Sequence, residues 1–297
     1  MIENYRISRR SFLQFSWLTG AALLTGCRPE VSPFLEKKRP GTVRVAVVGD
    51  YGNPGMIGDK VANAAKVWDP DVVATLGDNI HQNGDPKMFA ADVRDRYGWA
   101  MEKGILVLVE GNHDQLGWPA DAIPLLQQPE LSYLNNQRYF HWPIDRGLVD
   151  LFVLNSDPGE PDGRTWDSIQ GRWLQDKLSI SQANYKLVLM HESPFSSCQF
   201  GSQKELQWPF KKWGATAVLA GHCHFYQLMI IDGFPYFVNG LGGSPEKSEF
   251  LTPVPGSETQ YNDDWGLMLI EADTSRINFR FVTIGGRVID SYSIFSN

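Results

Sequence analysis

The sequence predicts an α/β fold built on a buried, largely parallel β-sheet, and two observations lead to this prediction. Three nearly continuous apolar segments rich in β-branched residues lie at 43–48, 72–76 and 105–109. Between them, the segments 56–68 and 86–102 repeat their apolar residues at helical spacing. Short apolar strands that alternate with helices are typical of a parallel sheet covered by helices.

The rest of the chain predicts a second β-rich half with its own helices. The expected strands lie at 139–144, 148–155, 185–190, 217–220, 226–231, 234–238, 265–272, 277–283 and 288–294, with helices at about 169–178 and 205–213. Asp232-Gly233 is a typical hairpin turn and is expected to join the strands on either side of it. The segments 115–138 and 239–264 are rich in Pro, Gly, Ser or Gln and are expected to form loops at the mouth of a site.

Composition narrows the possible functions. The chain of 297 residues has a formal net charge of -7, which gives no electrostatic support to nucleic-acid binding. Only six histidines are present, and five of them follow predicted strands, whereas His141 lies within one. Because the ends of parallel strands meet at one edge of a sheet, where ligands bind, these five positions indicate a site.

Residues that bind metals in proteins follow five of the predicted strands. His222 and His224 follow the strand at 217–220, and alternation along an extended segment would point both rings into one pocket and Cys223 away from it. The other candidate ligands are Asp50, Asp78, His81, Asn112 and His191. Carboxylate, amide and imidazole ligands together suit divalent metal ions, and one carboxylate can bridge two of them.

These residues stand in five short blocks. The blocks are Asp50-Tyr51-Gly52, Gly77-Asp78-Asn79-Ile80-His81, Gly111-Asn112-His113-Asp114, Val188-Leu189-Met190-His191 and Gly221-His222-Cys223-His224. Over about residues 43–243 the sequence resembles the calcineurin-like metallophosphoesterases, and most of all the tartrate-resistant type of purple acid phosphatase. The resemblance implies a four-layer sandwich of two mixed β-sheets flanked by helices. It also implies hydrolysis of phosphomonoesters by a hydroxide held between two metal ions.

The resemblance also gives each residue a role. It implies that Asp78 bridges the two ions and that His113 contacts the phosphate or protonates the leaving oxygen, with Asp114 orienting its ring. The remaining ligands are divided between the ions, the first bound by Asp50 and His224 and the second by Asn112, His191 and His222. The implied substrate is a phosphorylated small molecule. A phosphodiesterase or nucleotide hydrolase of the same fold, and a non-catalytic metal-binding lipoprotein, remain as alternatives.

One block departs from the family pattern, because His81 stands where the purple enzymes have a tyrosine that binds ferric iron. We expect His81 to bind metal; the alternative is a hydrogen bond to another ligand. Tyr51 lies between two positions that face the site and should point away. Without the tyrosinate the centre has one negative charge fewer, which favours two divalent ions over a ferric–divalent pair. Manganese, iron(II) and zinc are the candidates.

The first forty residues predict export and lipid attachment. The segment 8–14 contains Arg9-Arg10 and resembles a twin-arginine signal, and the apolar segment 12–24 is too short to span a membrane. Leu24-Thr25-Gly26-Cys27 resembles a bacterial lipobox, although a signal cut elsewhere with an incidental cysteine is the alternative.

We therefore expect a signal peptide at 1–26, a tether at 27–40 that begins with lipidated Cys27, and one phosphoesterase domain at 41–297. The twin-arginine machinery would export the protein to the cell envelope or periplasm, where only the lipid would anchor it to the membrane. An exported compartment permits a disulfide between Cys198 and Cys223, but their sequence separation leaves the pairing open.

Overall fold

The computed structural model describes residues 4–5, 32–81, 83–119, 122–144 and 147–296. Arg9, Arg10 and Cys27 lie outside the described residues, so the signal peptide and the lipid attachment stay predictions. The described part of the predicted tether, 32–40, packs on the domain, because Phe34 is buried in the hydrophobic core and Arg39 pairs with Glu271. In the part of the chain that is described, no helix is long and apolar enough to cross a membrane.

The described chain contains fourteen strands and five α-helices. The strands are β1 (Asn4–Tyr5), β2 (Val43–Val48), β3 (Val72–Thr75), β4 (Leu106–Val107), β5 (Phe140–Ile144), β6 (Val149–Val153), β7 (Tyr185–Leu189), β8 (Ala217–Ala220), β9 (Tyr226–Ile231), β10 (Phe234–Asn239), β11 (Ser257–Tyr261), β12 (Gly266–Ala272), β13 (Arg276–Thr283) and β14 (Val288–Phe295). The helices are α1 (Met56–Val67), α2 (Asp95–Glu102), α3 (Asn112–Gln115), α4 (Ile169–Ile180) and α5 (Phe210–Trp213).

The strands form two seven-stranded mixed sheets. Sheet I has the order β1-β14-β13-β12-β2-β3-β4, in which β2, β3 and β4 are parallel and the remaining neighbours are antiparallel. Sheet II has the order β11-β9-β10-β8-β7-β6-β5, with β6, β7, β8 and β10 parallel. The predicted fold of two mixed sheets flanked by helices is therefore confirmed.

The main hydrophobic core lies between the two sheets. Aromatic rings meet across the interface, with Tyr226 stacked on Phe281 and Phe237 on Phe279 at centroid distances of 4.5 and 4.8 Å. On β8 the side chains alternate, so that Leu219 packs in this core while Val218 packs in a second core with α4 and α5. This alternation explains why the central strands are apolar on both faces.

Two predicted helices are interrupted. The segment 86–102 consists of a 3-10 turn at Pro86–Met88, a π-helical turn at Ala90–Arg94 and then α2. The predicted helix at 205–213 is reduced to a 3-10 turn and α5, because Pro209 lies in its middle and has no N–H to donate. Apolar periodicity is insensitive to such changes of helix type.

Of the two predicted mouth loops, 239–264 contributes Glu246, Lys247 and Ser248 to the lining of a cavity, whereas no described residue of 115–138 lines it. Much of 115–138 packs on the protein rather than overhanging a site, with Leu125 and Leu131 wholly buried in the main core. Within 239–264 the structure adds β11, which pairs with β9 at the edge of sheet II. The half-buried and exposed side chains that alternate along β11 are polar. The sequence therefore has no alternation of apolar and polar residues that would predict this strand.

Candidate metal centre

The predicted ligands converge where the parallel strands of both sheets end. Asp50, Asp78 and Asn112 follow β2, β3 and β4 of sheet I, and His191 and His222 follow β7 and β8 of sheet II. A cavity of about 350 Å³ opens here. It is lined by Asp78, His81, Asn112, His113, Gln199, Phe200, His222, His224, Glu246, Lys247 and Ser248. Asp50 and His191 are buried beneath it.

Three of these residues have an unusual backbone. Asp50, Asp78 and His222 have φ angles of 57°, 52° and 68°, in the left-handed region that residues with a side chain rarely adopt. Such conformations cost free energy and persist where the surrounding structure enforces them, often at functional sites. The turns aim these side chains at a common point.

Glycines allow the loops to approach closely enough for this convergence. A Cβ atom at Gly111 would lie 2.2 Å from Oδ1 of Asp78, and one at Gly77 would lie 2.3 Å from Nδ1 of His191. Both distances are far shorter than any non-bonded contact, so a larger residue at either position would displace a predicted ligand.

Asp78 lies between two groups of donor atoms. Its Oδ1 is 3.4 Å from Nε2 of His191, and its Oδ2 is 3.8 Å from Nδ1 of His81. The same carboxylate belongs to two compact groups of donor atoms, one with His81 and His113 and the other with Asp50 and His191. Each oxygen of Asp78 therefore faces a different side of the cavity.

On one side, Asn112, His191 and His222 form a contiguous group. Nε2 of His191 is 2.9 Å from Oδ1 of Asn112 and 3.1 Å from Nδ1 of His222. Nδ1 of His191 is 2.7 Å from the carbonyl oxygen of Leu76, which can only accept, so this nitrogen carries the proton. The Nε2 lone pair is then available to a cation.

On the other side, Asp50 and His224 form the second group. Oδ1 of Asp50 lies 3.4 Å from Nε2 of His224, while Oδ2 accepts a hydrogen bond from the backbone N–H of His222. Nδ1 of His224 donates to the carbonyl oxygen of Glu246 at 2.8 Å, which again leaves Nε2 facing the cavity. This grouping is compatible with the division that the resemblance implied, although Asp50 also lies close to His191 and Asp78. Metal binding by these residues stays a prediction.

His81 faces the same side as His224, with 5.7 Å between the ring centroids. Its Nδ1 is buried and has no hydrogen-bond partner among the described residues. The ring also stacks on that of His113 at a centroid distance of 3.8 Å. A buried imidazole nitrogen without a partner favours metal binding over the alternative of a hydrogen bond to another ligand.

Asp114 does not orient the ring of His113, and that expectation is wrong. Its buried carboxylate accepts hydrogen bonds from the backbone N–H groups of Asn79, Ile80 and Gly111. Nδ1 of His113 has no hydrogen-bond partner in the described part of the chain. Asp114 instead holds two ligand-bearing loops together, which positions the residues at the centre indirectly.

The two cysteines form a disulfide, which answers the question that the sequence left open. Cys223 points away from the cavity, as expected, but for a different reason. The segment 221–224 is a turn rather than an extended strand, and His222 has left-handed backbone geometry. Both cysteines are buried, and the bond attaches the segment of His222 and His224 to the neighbouring loop around Cys198.

Tyr51 points away from the centre, as predicted. Its hydroxyl donates a hydrogen bond to Oδ1 of Asn79 at 2.9 Å, and its ring packs edge-on against Tyr97. Burial raises the pKa of Tyr51 well above its usual value, which keeps the phenol protonated.

Burial and mutual charge shift the protonation of the cluster. Burial raises the pKa of Asp78 to about 7, and it lowers the pKa of His222 to about 3 and of His81 to about 4. Burial alone would raise the pKa of Asp50. The hydrogen bond from His224 and the nearby imidazoles outweigh this effect and lower the pKa. A bound cation would favour the ionised carboxylates and neutral imidazoles, so the donor set fits divalent metal ions.

The sequence indicated the loops at 193–204 and 239–264 as parts of the site, but not which of their residues form the cavity wall. Gln199 and Phe200 come from the loop after β7, and Glu246, Lys247 and Ser248 come from the loop after β10. None belongs to a recognisable block, and their place depends on how the two loops fold back. The disulfide connects the first loop with the segment of His222 and His224, and hydrogen bonds from His224 to Glu246 and Ser248 connect the second loop with it.

Comparison with known proteins identifies relatives. The family model described as calcineurin-like phosphoesterase matches residues 43–226. Tartrate-resistant acid phosphatase type 5 of Oryctolagus cuniculus is 25% identical over 252 residues, which are 73% of this chain and 77% of that protein.

Solved structures share the fold. "GAP50 the anchor in the inner membrane complex of Plasmodium" superposes with a TM-score of 0.68 at 16% identity, covering 86% of this chain and 89% of that one. The purple acid phosphatase PPD1 from yellow lupin (Lupinus luteus) seeds has a TM-score of 0.64 at 19% identity. That match covers 85% of this chain but 53% of the lupin protein, so this chain spans about half of its length.

Proposed function

The chain belongs to the calcineurin-like phosphoesterase family, and from this premise we propose that it hydrolyses phosphomonoesters with two divalent metal ions. The family and the similarity to an acid phosphatase make it a metal-dependent phosphoesterase that acts on phosphorylated small molecules. The number of ions and the preference for monoesters are the proposed parts.

The observation that supports two ions best is the position of Asp78. Its Oδ1 faces His191 at 3.4 Å and its Oδ2 faces His81 at 3.8 Å. A carboxylate with each oxygen directed at a separate group of imidazoles is suited to bridge two cations. If only one cation were bound, the buried donor atoms on the opposite side of Asp78 would have no positive charge to bind.

Two bound divalent ions would neutralise the charge of the phosphate and make a water molecule more acidic. The chain itself supplies the groups around the substrate. His113 lines the cavity beside Asp78, and its backbone N–H donates to Oδ1 of Asp78 at 3.0 Å. From this position its imidazole is proposed to donate a proton to the oxygen of the departing alcohol.

We propose that both ions are divalent, because His81 replaces the tyrosine of the purple enzymes. A neutral imidazole adds no negative charge to offset a ferric ion. Tyr51, the tyrosine next to the predicted ligand Asp50, is directed at Asn79, and burial raises its pKa. A tyrosinate ligand from that residue would need both its hydrogen bond and its packing to be broken.

Two alternatives remain, and a substrate comparison separates them. The fold is compatible with an enzyme and with a non-catalytic protein, since one protein of the same fold is named as an anchor. His113 favours catalysis, because a proton donor has no evident purpose without a leaving group. After loading metal-free protein with Mn²⁺, Fe²⁺ or Zn²⁺, we expect a higher kcat/KM for 4-nitrophenyl phosphate than for bis(4-nitrophenyl) phosphate. The reverse order would indicate a phosphodiesterase, and no hydrolysis with any metal would indicate a binding protein.

We further propose export and lipid anchoring, on the strength of Arg9-Arg10 and the block that ends at Cys27. Removal of residues 1–26 would also remove the edge strand β1, which would leave six strands in sheet I. Replacing Cys27 by alanine should abolish incorporation of a labelled fatty acid, while replacing Arg9 and Arg10 by lysine should keep the precursor in the cytoplasm. Recovery of unlipidated wild-type protein from the soluble exported fraction would contradict this proposal.

A further inference from the structure

An exposed aromatic side chain borders the predicted metal centre. Phe200 is 52% exposed, and its ring centroid lies 4.3 Å from that of His222. It lines the cavity together with its neighbour Gln199. Single exposed apolar residues are common on protein surfaces, so exposure alone carries no function. Phe200 differs from other exposed apolar residues because its ring contacts the predicted metal ligand His222.

The loop that carries Phe200 is firmly attached. Its neighbour Cys198 is bonded to Cys223, which lies between the predicted ligands His222 and His224. The carbonyl oxygen of Ser197 accepts hydrogen bonds from the backbone N–H groups of Leu251 and Thr252. These links fix the loop both to the ligand segment and to the loop after β10.

Hydrogen bonds within the loop complete this support. The backbone N–H of Gly201 donates to the carbonyl oxygen of Cys198 at 3.0 Å, and Gln203 bonds to the carbonyl oxygens of Ser193 and Phe200. Gln203 is itself held by Arg164, which pairs with Glu192. The loop that directs the ring of Phe200 into the cavity is therefore rigid. Little conformational entropy is lost when a ligand packs on this ring.

The wall contributed by the loop after β10 has a different character. Glu246 and Lys247 line it, and the ammonium of Lys247 donates to the carbonyl oxygen of Asp263 and lies 3.9 Å from the ring centroid of Trp265. The cavity therefore has one aromatic wall and one polar wall above the predicted ions. A leaving group with a flat ring and polar substituents would match both.

Resting on the proposed function, we propose that Phe200 stacks on an aromatic ring in the leaving group and makes the enzyme selective for phosphomonoesters that carry one. Nucleoside 5′-phosphates and arylalkyl phosphates are two classes of substrate whose leaving group carries such a ring. The reaction remains hydrolysis of the ester bond by water, and Phe200 contributes binding only. Stacking of a base on an aromatic side chain is worth about tenfold or more in affinity.

Pairs of substrates that leave as alkoxides separate ring recognition from leaving-group chemistry. Adenosine 5′-phosphate is compared with ribose 5-phosphate, and benzyl phosphate with butyl phosphate, by kcat/KM on the metal-loaded protein. We expect the wild type to prefer the ring-bearing member of at least one pair by about tenfold, the size of one stacking contact. A preference in the first pair alone identifies nucleotides as the source, and one in both pairs identifies any flat ring.

Phe200→Ala should remove this preference by lowering kcat/KM for the ring-bearing substrates about tenfold, the value of the lost contact. The loss of kcat/KM for ribose 5-phosphate and butyl phosphate should be much smaller, and Phe200→Tyr should restore the preference. Trp118→Ala is the matched control, because Trp118 is 41% exposed but does not line the cavity. It should leave all four substrates unchanged.

Several results would overturn the inference. An unchanged preference in Phe200→Ala would show that the ring does not contact the leaving group. An equal loss for all four substrates, with a fall in bound metal, would show that Phe200 only supports His222. Hydrolysis of all four substrates by the wild type without any preference would overturn the inference and leave the proposed function intact. Hydrolysis of none would overturn both.

Discussion

Replacing Asp78 by asparagine is expected to abolish activity and to remove at least one metal ion from each chain. A neutral amide offers one oxygen, so it cannot present a charged donor atom both to the side of His191 and to the side of His81. Elemental analysis of the purified variant and its kcat for a phosphomonoester test this expectation.

The matched control is Asp92→Asn. Asp92 is equally buried, and its carboxylate accepts no hydrogen bond among the described residues, although Nη1 of Arg96 lies 3.9 Å from its Oδ1. Burial raises its pKa to about 6, so the neutral amide should be accepted there. Metal content and activity should stay at the wild-type level. Turnover by Asp78→Asn close to that of the wild type would end the hypothesis of a bridging carboxylate.

Replacing His113 by alanine is the change with the next largest expected effect. The variant should keep its metal, yet its hydrolysis of alkyl phosphates should be slower by about a hundredfold or more, the usual effect of losing a general acid. Nitrophenyl phosphate should be affected less, because nitrophenolate leaves without a proton. The measurement is kcat for both kinds of substrate together with the metal content.

His141→Ala serves as the control for a lost imidazole. His141 lies on β5 at the edge of sheet II, where its Nε2 is 2.8 Å from Asp150, and it does not line the cavity. Its loss should leave turnover unchanged. Should His113→Ala lose metal together with activity, His113 would be a ligand, as its grouping with Asp78 and His81 also permits. The assignment of the proton donor would then be wrong.

The sequence was sufficient for the strands that precede the site residues and for the convergence of the polar residues that follow them. This success has a physical reason, since the strands are apolar on both faces and parallel strands end at a common edge. Asp50, Asp78, Asn112, His191 and His222 lie after strands whose boundaries differ from the predictions by only a few residues. The position of each ligand depends on its distance from a strand, which the sequence contains directly.

The sequence was insufficient where the answer depends on loops that meet only in the folded chain. The carboxylate of Asp114 bonds to the backbone of Asn79 and Ile80, which lie more than thirty residues away along the chain. Sequence proximity suggested a contact with His113 instead, and the structure does not form it. Phe200 reaches the cavity through a loop that is held by the disulfide to Cys223 and by hydrogen bonds from Leu251 and Thr252.

The local backbone geometry of the site also could not be predicted from the alternation of residues in the sequence. Alternation assumes an extended chain, whereas His222 adopts a left-handed conformation that turns its ring into the cavity. The strand β11 has no apolar alternation because one of its edges is solvent-facing and its residues are polar. Both features arise from tertiary contacts that override local preference.

The central claim is a pair of divalent ions bridged by Asp78. Elemental analysis combined with visible spectroscopy of the wild-type protein as isolated tests it most directly. We expect two divalent ions per chain, drawn from manganese, iron and zinc, and no tyrosinate-to-iron charge-transfer band. A purple protein in which Tyr51 or another phenol binds iron, or a chain that binds no more than one ion under saturating metal, would contradict it.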